Sequence, residues 1–283
     1  MKKIVILLLV LLSPICHGQT TIIVSSGAGG SVDILARKFA KFAELKTNKP
    51  FIVENIGGAG GSIGVSKFLK SRPNSLMITS SSWYLSIVNN EFSLEDFKPV
   101  AVLAEAPFFL VTNKTQNLTC EKLRTSDKHY FLGHGGGVTE IVSKIVSSKY
   151  PNIEDIPYKS VKQSTVDLHG NQINATIITS TNDIIDPLVP LANTTSRRVN
   201  GIAPFADCLN IKTDLTGNFI LVTNAASDAA FVANTQTLAA EFVKDPDTQN
   251  YYKENSFYNS SADFKNTNAT VDGQIKKWKK VTK

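Results

Sequence analysis

The stretch Thr21–Lys41, TIIVSSGAGGSVDILARKFAK, decides how the rest of the chain is interpreted. The apolar run 22–24 predicts a short β-strand, and apolar residues recurring at helical spacing from Ile34 to Phe42 predict an amphipathic helix. Glycines and serines lie between them, and they let the backbone turn sharply while leaving its N–H groups uncovered. Ser31 is the predicted N-cap of the helix. This strand, loop and helix predict the first unit of an α/β fold.

The glycine-rich loop is a candidate anion site, because its N–H groups and the positive end of the helix dipole point to one place. A βα turn without a ligand explains the same pattern, and both interpretations stay open here. The loop lacks the Gly-Lys-Ser/Thr of a phosphate-binding P-loop, and its glycines do not have the dinucleotide-binding spacing. A carboxylate is therefore favoured over a nucleotide phosphate.

The beginning of the 283-residue chain has the form of a secretory signal peptide. Two lysines precede an apolar run over 4–12, which a short segment over 13–18 follows. The apolar run is too short to span a bilayer, and cleavage is predicted after Gly18. Cys16 leaves a lipoprotein as the alternative. No second apolar run of spanning length follows, so a periplasmic protein is predicted.

Composition argues against several other classes. The formal net charge is +6, and the basic residues are scattered except over 276–280, so no nucleic-acid footprint is predicted. His129, His134 and His169 have no metal-ligand spacing, and no nucleophile elbow is present. We therefore predict no enzyme, no metal and no cofactor. Cys120 and Cys208 permit one disulfide in an exported protein, with two buried thiols as the alternative.

Strands and helices alternate along the whole chain, which predicts mostly parallel sheets with helices on both faces. The loop Gly133–Thr139 and the helix predicted over 140–149 repeat the chemistry of the opening stretch. The length predicts two lobes joined by hinge strands near 106–112 and 219–223. Ligands of open α/β sheets lie beyond the carboxyl ends of the strands, so the cleft between the lobes is the predicted site.

Several segments together resemble the substrate-binding proteins of tripartite tricarboxylate transporters, the Bug-type periplasmic receptors. They are GAGGSVDILAR (27–37), VENIGGAGGSIG (53–64), DFKPVAVLAEAP (96–107), PYKSVKQSTVDLHGNQIN (157–174) and IKKWKKV (275–281). The resemblance implies a two-lobed type II periplasmic binding fold, a Venus flytrap with a mostly parallel sheet in each lobe. Lobe one is predicted over 19–105 plus 222–283, and lobe two over 106–221, after the signal peptide 1–18.

The resemblance also implies four regions that bind the ligand. The first is the opening loop, the second follows the predicted strand 130–132, the third is a serine run, and the fourth ends a strand of lobe two. Their candidate residues are Ser26, Gly27, Ala28, Gly29, Gly30, Ser31 and Asp33; His134, Gly136, Gly137, Val138 and Thr139; Ser81 and Ser82; and Thr179 and Ser180.

Individual residues in these regions have structural alternatives. Asp33 either compensates the helix dipole or accepts a ligand ammonium, and Arg37 is its predicted partner. His134 is a candidate donor to a carboxylate or a group that tunes binding with pH. Trp83 and Tyr84 are equally consistent with a cleft wall and with the core.

The sequence thus predicts a monomeric solute receptor that closes on a small carboxylate. The solute is a di- or tricarboxylate, an acidic amino acid or an aromatic acid. The predicted partners are the membrane permease subunits of a tripartite transporter. The alternative is a diverged receptor fold that acts in sensing or interaction without transport.

Overall fold

The computed structural model describes residues 18–259 and 264–282. The predicted signal peptide, apart from Gly18, and Cys16 therefore lie outside the described residues. Within the two described ranges, no helix has both the length and the apolar character needed to cross a bilayer.

The first sheet contains five strands. They are β1 (Thr20–Val24), β2 (Phe51–Asn55), β3 (Leu76–Ser80), β4 (Phe97–Pro107) and β10 (Thr216–Asn224). Their order across the sheet is β2-β1-β3-β10-β4. β1 pairs in parallel with β2 and β3, and β10 runs antiparallel to both of its neighbours.

The second sheet also contains five strands and has the same topology. They are β5 (Phe109–Asn113), β6 (Tyr130–His134), β7 (Ile153–Pro157), β8 (Ala175–Ile178) and β9 (Leu188–Asn193). The order is β7-β6-β8-β5-β9, and β5 is the strand that runs against its neighbours. In each sheet a single strand opposes the rest, so the prediction of mostly parallel sheets is confirmed.

The chain passes from the first sheet to the second at Phe108, between β4 and β5, inside the segment predicted as a hinge. It returns through β10, which pairs within the first sheet along its full length, from Thr216 to Asn224. The lobe boundary after Leu221 therefore falls inside a strand of the first sheet. The lobe boundaries themselves stay a prediction.

Ten α-helices connect the strands of the described residues. They are α1 (Ser31–Thr47), α2 (Ser62–Leu69), α3 (Ser82–Val88), α4 (Cys120–Thr125), α5 (Val138–Lys149), α6 (Val161–His169), α7 (Phe205–Leu209), α8 (Ala229–Phe242), α9 (Pro246–Asn255) and α10 (Thr267–Val281). The sequence did not predict α9 or β9. Pro190 interrupts the strand pattern of β9, and the fold tolerates it because β9 lies at the edge of its sheet.

Helix α1 shows how the apolar pattern becomes packing. Leu35 and Phe39 are fully buried, and the Phe39 ring meets Phe242 of α8 edge-on at 5.3 Å between centroids. Burying one such side chain stabilises the fold by about 1.5–3 kcal/mol. Ile34 was predicted on the same apolar face but is 40% exposed, because the face that contacts the sheet is centred on Leu35, Phe39 and Ala43.

Two further contacts fix the outer helices. A disulfide joins Cys120 at the start of α4 to Cys208 in α7. Helix α10 packs against α3, and Trp278 and Trp83 are both buried in the same core cluster. Trp83 and Tyr84 are therefore buried, and neither forms an exposed cleft wall.

Candidate functional site

The first glycine-rich loop lies between β1 and α1 at the carboxyl end of its strand. Gly27 to Gly30 are exposed, whereas Ser25 is buried and its hydroxyl lies 2.6 Å from that of Thr79 in β3. The buried Oγ of Ser26 has no hydrogen-bond partner among the described residues. The loop therefore presents its backbone to solvent on a base that is fixed to the sheet.

Asp33 holds this loop from the first turn of α1. One of its carboxylate oxygens accepts the N–H of Gly29 at 2.8 Å, and the other lies 2.9 Å from Nε of Arg37. Arg37 also donates to Asn55 at the end of β2. Burial raises the pKa of Asp33, but the Gly29, Arg37 and Asn55 hydrogen bonds outweigh it and leave the pKa below its ordinary value. The predicted pairing with Arg37 is present, and it occupies the carboxylate that was a candidate for a ligand ammonium.

The prediction that Ser31 is the N-cap of α1 is wrong. Gly30 occupies the N-cap position, and no side chain accepts a hydrogen bond from the first turn. Helices α3 and α5 likewise begin without a hydrogen bond from an N-cap side chain, as do α2, α7 and α10. By contrast, α4, α6, α8 and α9 each have a side-chain cap. Because the first N–H groups of a helix have no internal partner, those of α1 and α5 are open to a ligand. In α3 the N–H of Ser82 donates to the hydroxyl of Ser80 at 3.4 Å, and that of Tyr84 donates to the carbonyl of Ser81.

The second glycine-rich loop, between β6 and α5, is organised by His134. Its Nδ1 accepts the N–H of Gly136 at 3.0 Å, and its Nε2 lies 3.3 Å from a carboxylate oxygen of Asp155. The imidazole is buried, and its two nitrogens have these partners. The structure thus gives His134 a role in holding the loop, in place of the predicted donation to a ligand.

Thr139 is the second support of this loop. Its Oγ1 accepts the N–H of Gly135 at 3.1 Å and donates to the carbonyl of Gly136 at 2.9 Å. Val138 is buried in the core, so only its backbone can face a ligand. Gly136 and Gly137 are partly exposed, and nothing lies within 4 Å of a Cβ placed on Gly136.

The serine region and the second loop come into contact across the two sheets. Ser82 begins α3, and a Cβ placed on Gly137 would lie 2.6 Å from its Oγ. The hydroxyl of Ser81 is buried and accepts the N–H of Asn218 in β10 at 2.7 Å. Ser82 is therefore the serine that faces the second sheet, while the side chain of Ser81 has a structural partner.

The fourth predicted region lies at the end of β8. Ser180 is buried and donates to Oδ1 of Asn255 at 2.7 Å, and Thr181 donates to the carbonyl of Glu254. These bonds tie the second sheet's loop to the end of α9. Thr179 is partly exposed beside them. The resemblance predicts that this region binds the ligand, and the structure shows that it links the two halves.

A cavity of about 550 Å³ opens between α2, α3, α5 and the end of α10. Of the predicted residues it is lined by Ser82 and Gly137, whereas the first loop does not line it. It contains residues that sequence reasoning missed: Ser62, whose hydroxyl donates to Glu91 at 2.5 Å, and Glu140, which pairs with Lys144 at 2.5 Å. The spacing of four residues between Glu140 and Lys144 was the only feature of the sequence that could have predicted their ion pair.

No cluster of three or more His, Cys, Asp or Glu residues within 18–259 and 264–282 has the arrangement of a metal site. The site thus consists of backbone N–H groups and hydroxyls at the carboxyl ends of strands in two sheets. The two sheets and their connections have the arrangement of the two-lobed periplasmic-binding-protein fold.

Sequence comparisons point to one family within that class. The chain is 30% identical over 166 residues to Protein BugT of Bordetella pertussis, covering 53% of this chain and 51% of that protein. It is 25% identical over 178 residues to a UPF0065 protein from the TAR-I ttuE-ttuC' intergenic region of Agrobacterium vitis, covering 57% and 51%. The match spans about half the length of these curated relatives. No family model matches the sequence.

Solved structures share the fold over almost the whole chain. Periplasmic binding protein BugD superposes with a TM-score of 0.82 at 18% identity, covering 93% of this chain and 96% of that one. Rpa4515 of R. palustris with adipate gives 0.82 at 21%, covering 93% and 95%. MatC of Rhodopseudomonas palustris with bound malate gives 0.80 at 15%, covering 94% and 99%. The two-lobed fold and the resemblance to Bug-type receptors are confirmed, and BugD is a periplasmic binding protein.

Proposed function

We propose that this protein is an extracytoplasmic receptor that binds a small organic carboxylate between its two sheets and delivers it to a tripartite tricarboxylate-type permease. The main supporting observation is that two helices without side-chain caps, α1 and α5, begin at the carboxyl ends of strands, one in each sheet. Uncapped N–H groups at a positive helix end stabilise an anion.

The proposed grip uses the loops 26–31 and 136–139 from opposite sides. Gly30 and Ser31 would offer backbone N–H groups from the first sheet, because the N–H of Gly29 is bonded to Asp33, and the backbone N–H groups of Gly137 and Thr139 would complete the site from the second. Hydroxyls and backbone amides suit a solute that must later be released, because they add hydrogen bonds without a permanent buried ion pair. Closure would follow from tighter binding to the closed state than to the open one.

The relatives support the chemical class of solute. One similar structure contains adipate and another contains malate, and both are carboxylates. The name BugD identifies a periplasmic binding protein, which supports the periplasmic location. The proposal that a permease is the partner rests on the resemblance to the receptor family.

A thermal-shift screen of ligand-free mature protein against mono-, di- and tricarboxylates, acidic amino acids and aromatic acids tests the proposal. A solute that binds only the folded state stabilises it by about 2.7 kcal/mol at a hundredfold excess over its dissociation constant. We expect a clear rise in Tm with one chemical group of carboxylates. A well-folded protein that responds to none of them contradicts the carboxylate site and favours the sensing or interaction alternative.

A pair of glycine variants localises the binding. Gly30→Val adds a side chain over the first turn of α1, where the nearest atom to a Cβ is 3.9 Å away. Its backbone is extended, so valine is tolerated. Gly170→Val is the matched control at the end of α6, with no neighbour closer than 3.7 Å. We expect the Tm shift to disappear in Gly30→Val and to persist in Gly170→Val; equal shifts in both would remove the first loop from the site.

A further inference from the structure

Three buried residues beside the serine region, Trp83, Tyr84 and Asn218, hold polar atoms that have no hydrogen-bond partner among the described residues. Of these, Tyr84 and Asn218 can both donate and accept a hydrogen bond, whereas the indole of Trp83 can only donate. Asn218 in β10 is 1% exposed, and neither its Oδ1 nor its Nδ2 is bonded. Tyr84 in α3 is fully buried, and its hydroxyl is also without a partner. Buried polar groups are nearly always paired, so such a pair of residues requires a specific explanation.

Both residues lie near the carboxyl end of β3. The backbone N–H of Asn218 donates to Ser81, and the next residue of β10, Phe219, pairs with Ser80 at the end of β3. Tyr84 follows in the first turn of α3. Across the strand pair, Asn218 lies opposite Glu105 of β4. The unpartnered atoms are therefore at the level where the strands of the first sheet end.

The fold itself gives no reason for an asparagine at this position. A buried polar group without a partner costs about 1–3 kcal/mol, and an apolar residue of similar shape would avoid that cost. Asn113, which is equally buried in β5, shows the ordinary solution, because its amide donates to the carbonyls of Leu168 and His169 and its oxygen accepts from Thr115. Buried polar groups that lack hydrogen-bond partners are expected at functional sites.

We propose that Asn218 and Tyr84 hydrogen-bond an uncharged polar group at the inner end of the solute, such as an amide, while the glycine loops hold its carboxylate. This inference rests on the proposed function and narrows its solute class. Asn218 offers one donor group and one acceptor, and the tyrosine hydroxyl can do both. The carboxylate of Glu105 opposite Asn218 disfavours a second carboxylate at that end.

The protonation state of the Tyr84 hydroxyl is consistent with this role. Burial first, and the charge of Glu105 second, raise the pKa of Tyr84 well above its ordinary value, so the phenol keeps its proton as a donor. Because both side chains are buried while Ser82 and Gly137 are in contact, the solute would reach them from the state in which the sheets have separated.

Three variants test the inference: Asn218→Leu, Tyr84→Phe and the control Asn113→Leu. Asn218→Leu retains the backbone N–H that Ser81 accepts, and it removes both unpartnered atoms. We expect its Tm without solute to stay equal to that of the wild type or to rise, and Tyr84→Phe to behave likewise. Asn113→Leu, which loses satisfied hydrogen bonds, is expected to lower the Tm.

Solute selectivity is then measured by calorimetry with the half-amides of malonate, succinate and glutarate, each against its parent diacid. The apolar isostere 4-methylpentanoate accompanies the succinate pair. We expect the wild type to prefer one half-amide by about tenfold or more, because a site built for hydrogen bonds rejects partners that leave its groups unpaired. Asn218→Leu should lose that preference while its affinity for 4-methylpentanoate does not fall.

Other results would overturn the inference. Preference for the diacid at every length, or selectivity that Asn218→Leu leaves unchanged, excludes the neutral inner group; if binding still requires Gly30, the proposed receptor function stands. A lowered Tm in Asn218→Leu with unchanged selectivity assigns Asn218 a structural role. Absence of binding by every carboxylate in the wild type removes the inference together with the proposed function.

Discussion

The two glycine-rich loops occupy the same place in sheets of the same topology, yet they are held in different ways. The loop after β1 is exposed, and a charged network of Asp33, Arg37 and Asn55 fixes it. The loop after β6 is largely covered, and it is fixed by the hydroxyl of Thr139 and by the buried ring of His134, which also contacts Asp155. The same backbone arrangement can therefore occur twice in one fold while different side-chain contacts stabilise each occurrence.

This difference has a physical consequence for each half. Charged contacts near solvent weaken with salt and acid, whereas buried hydroxyl bonds are less sensitive to both. We therefore expect the Asp33 network of the first loop to weaken with salt and acid, and the hydroxyl bonds of Thr139 in the second loop to weaken less.

The largest expected difference between the halves concerns the disulfide, which lies among the helices next to the second sheet. Cys120 and Cys208 close a loop with a sequence separation of 88, so replacing both by serine should lower the free energy of unfolding by about 2–4 kcal/mol. Urea unfolding of the double variant against the wild type measures the loss. Carboxylate affinity should persist in the folded variant, and its loss would mean that the disulfide also shapes the cleft.

A comparison of glycines tests the contact between the sheets. Gly137 has φ +58 and lies against Ser82, so Gly137→Ala should strain the backbone by about 1–3 kcal/mol and hold α3 and α5 apart. Gly29 also has positive φ, but nothing lies within 4 Å of its Cβ position. We expect solute affinity to fall at least about tenfold in Gly137→Ala and less in Gly29→Ala. Calorimetry measures both affinities. Equal losses of affinity would show that backbone strain, and not the contact with Ser82, is the cause.

The hydroxyl that supports the second loop can be removed by replacing Thr139 with valine, a side chain of similar shape. Thr139→Val deletes the hydroxyl that bonds Gly135 and Gly136, so we expect a loss of about 1–3 kcal/mol in the free energy of unfolding. Asp33→Asn, at the first loop, removes a charge that faces a half-exposed Arg37, and should cost under about 1 kcal/mol. Denaturation at pH 7 compares them, and the reverse order would contradict the contrast between the loops.

The smallest expected effect is the pH dependence of the first loop. The folded state holds the pKa of Asp33 below its unfolded value of about 3.9, so the unfolded state takes up the proton first. The stability that Asp33 contributes is thus complete above about pH 4 and lost as the pH falls through the folded pKa. The difference in unfolding free energy between the wild type and Asp33→Asn should shrink there. A difference that stays constant from pH 6 to pH 3 would rule this out.

Several features could be predicted from local patterns, because they depend on neighbours in sequence. The apolar runs predicted most of the strands, and glycines after strands predicted both loops. Where the sequence erred, a distant contact was decisive: Ile34 follows the helical period but lies beyond the face that meets the sheet, and β9 tolerates Pro190 only because it is an edge strand.

The sequence by itself determined the α/β class, the repeated strand–loop–helix units and the resemblance to Bug-type receptors, since each is written in residues close together in the chain. The tertiary structure decided that Gly30 caps α1, that His134 holds its own loop, and that Ser81 bonds Asn218 across 137 positions. It also buried Asn218 and Tyr84 near the end of β3 with polar atoms that have no partner among the described residues, which no spacing reveals. Hydrogen-bond partners depend on which strands become neighbours, and that choice is made by the packing of the whole chain.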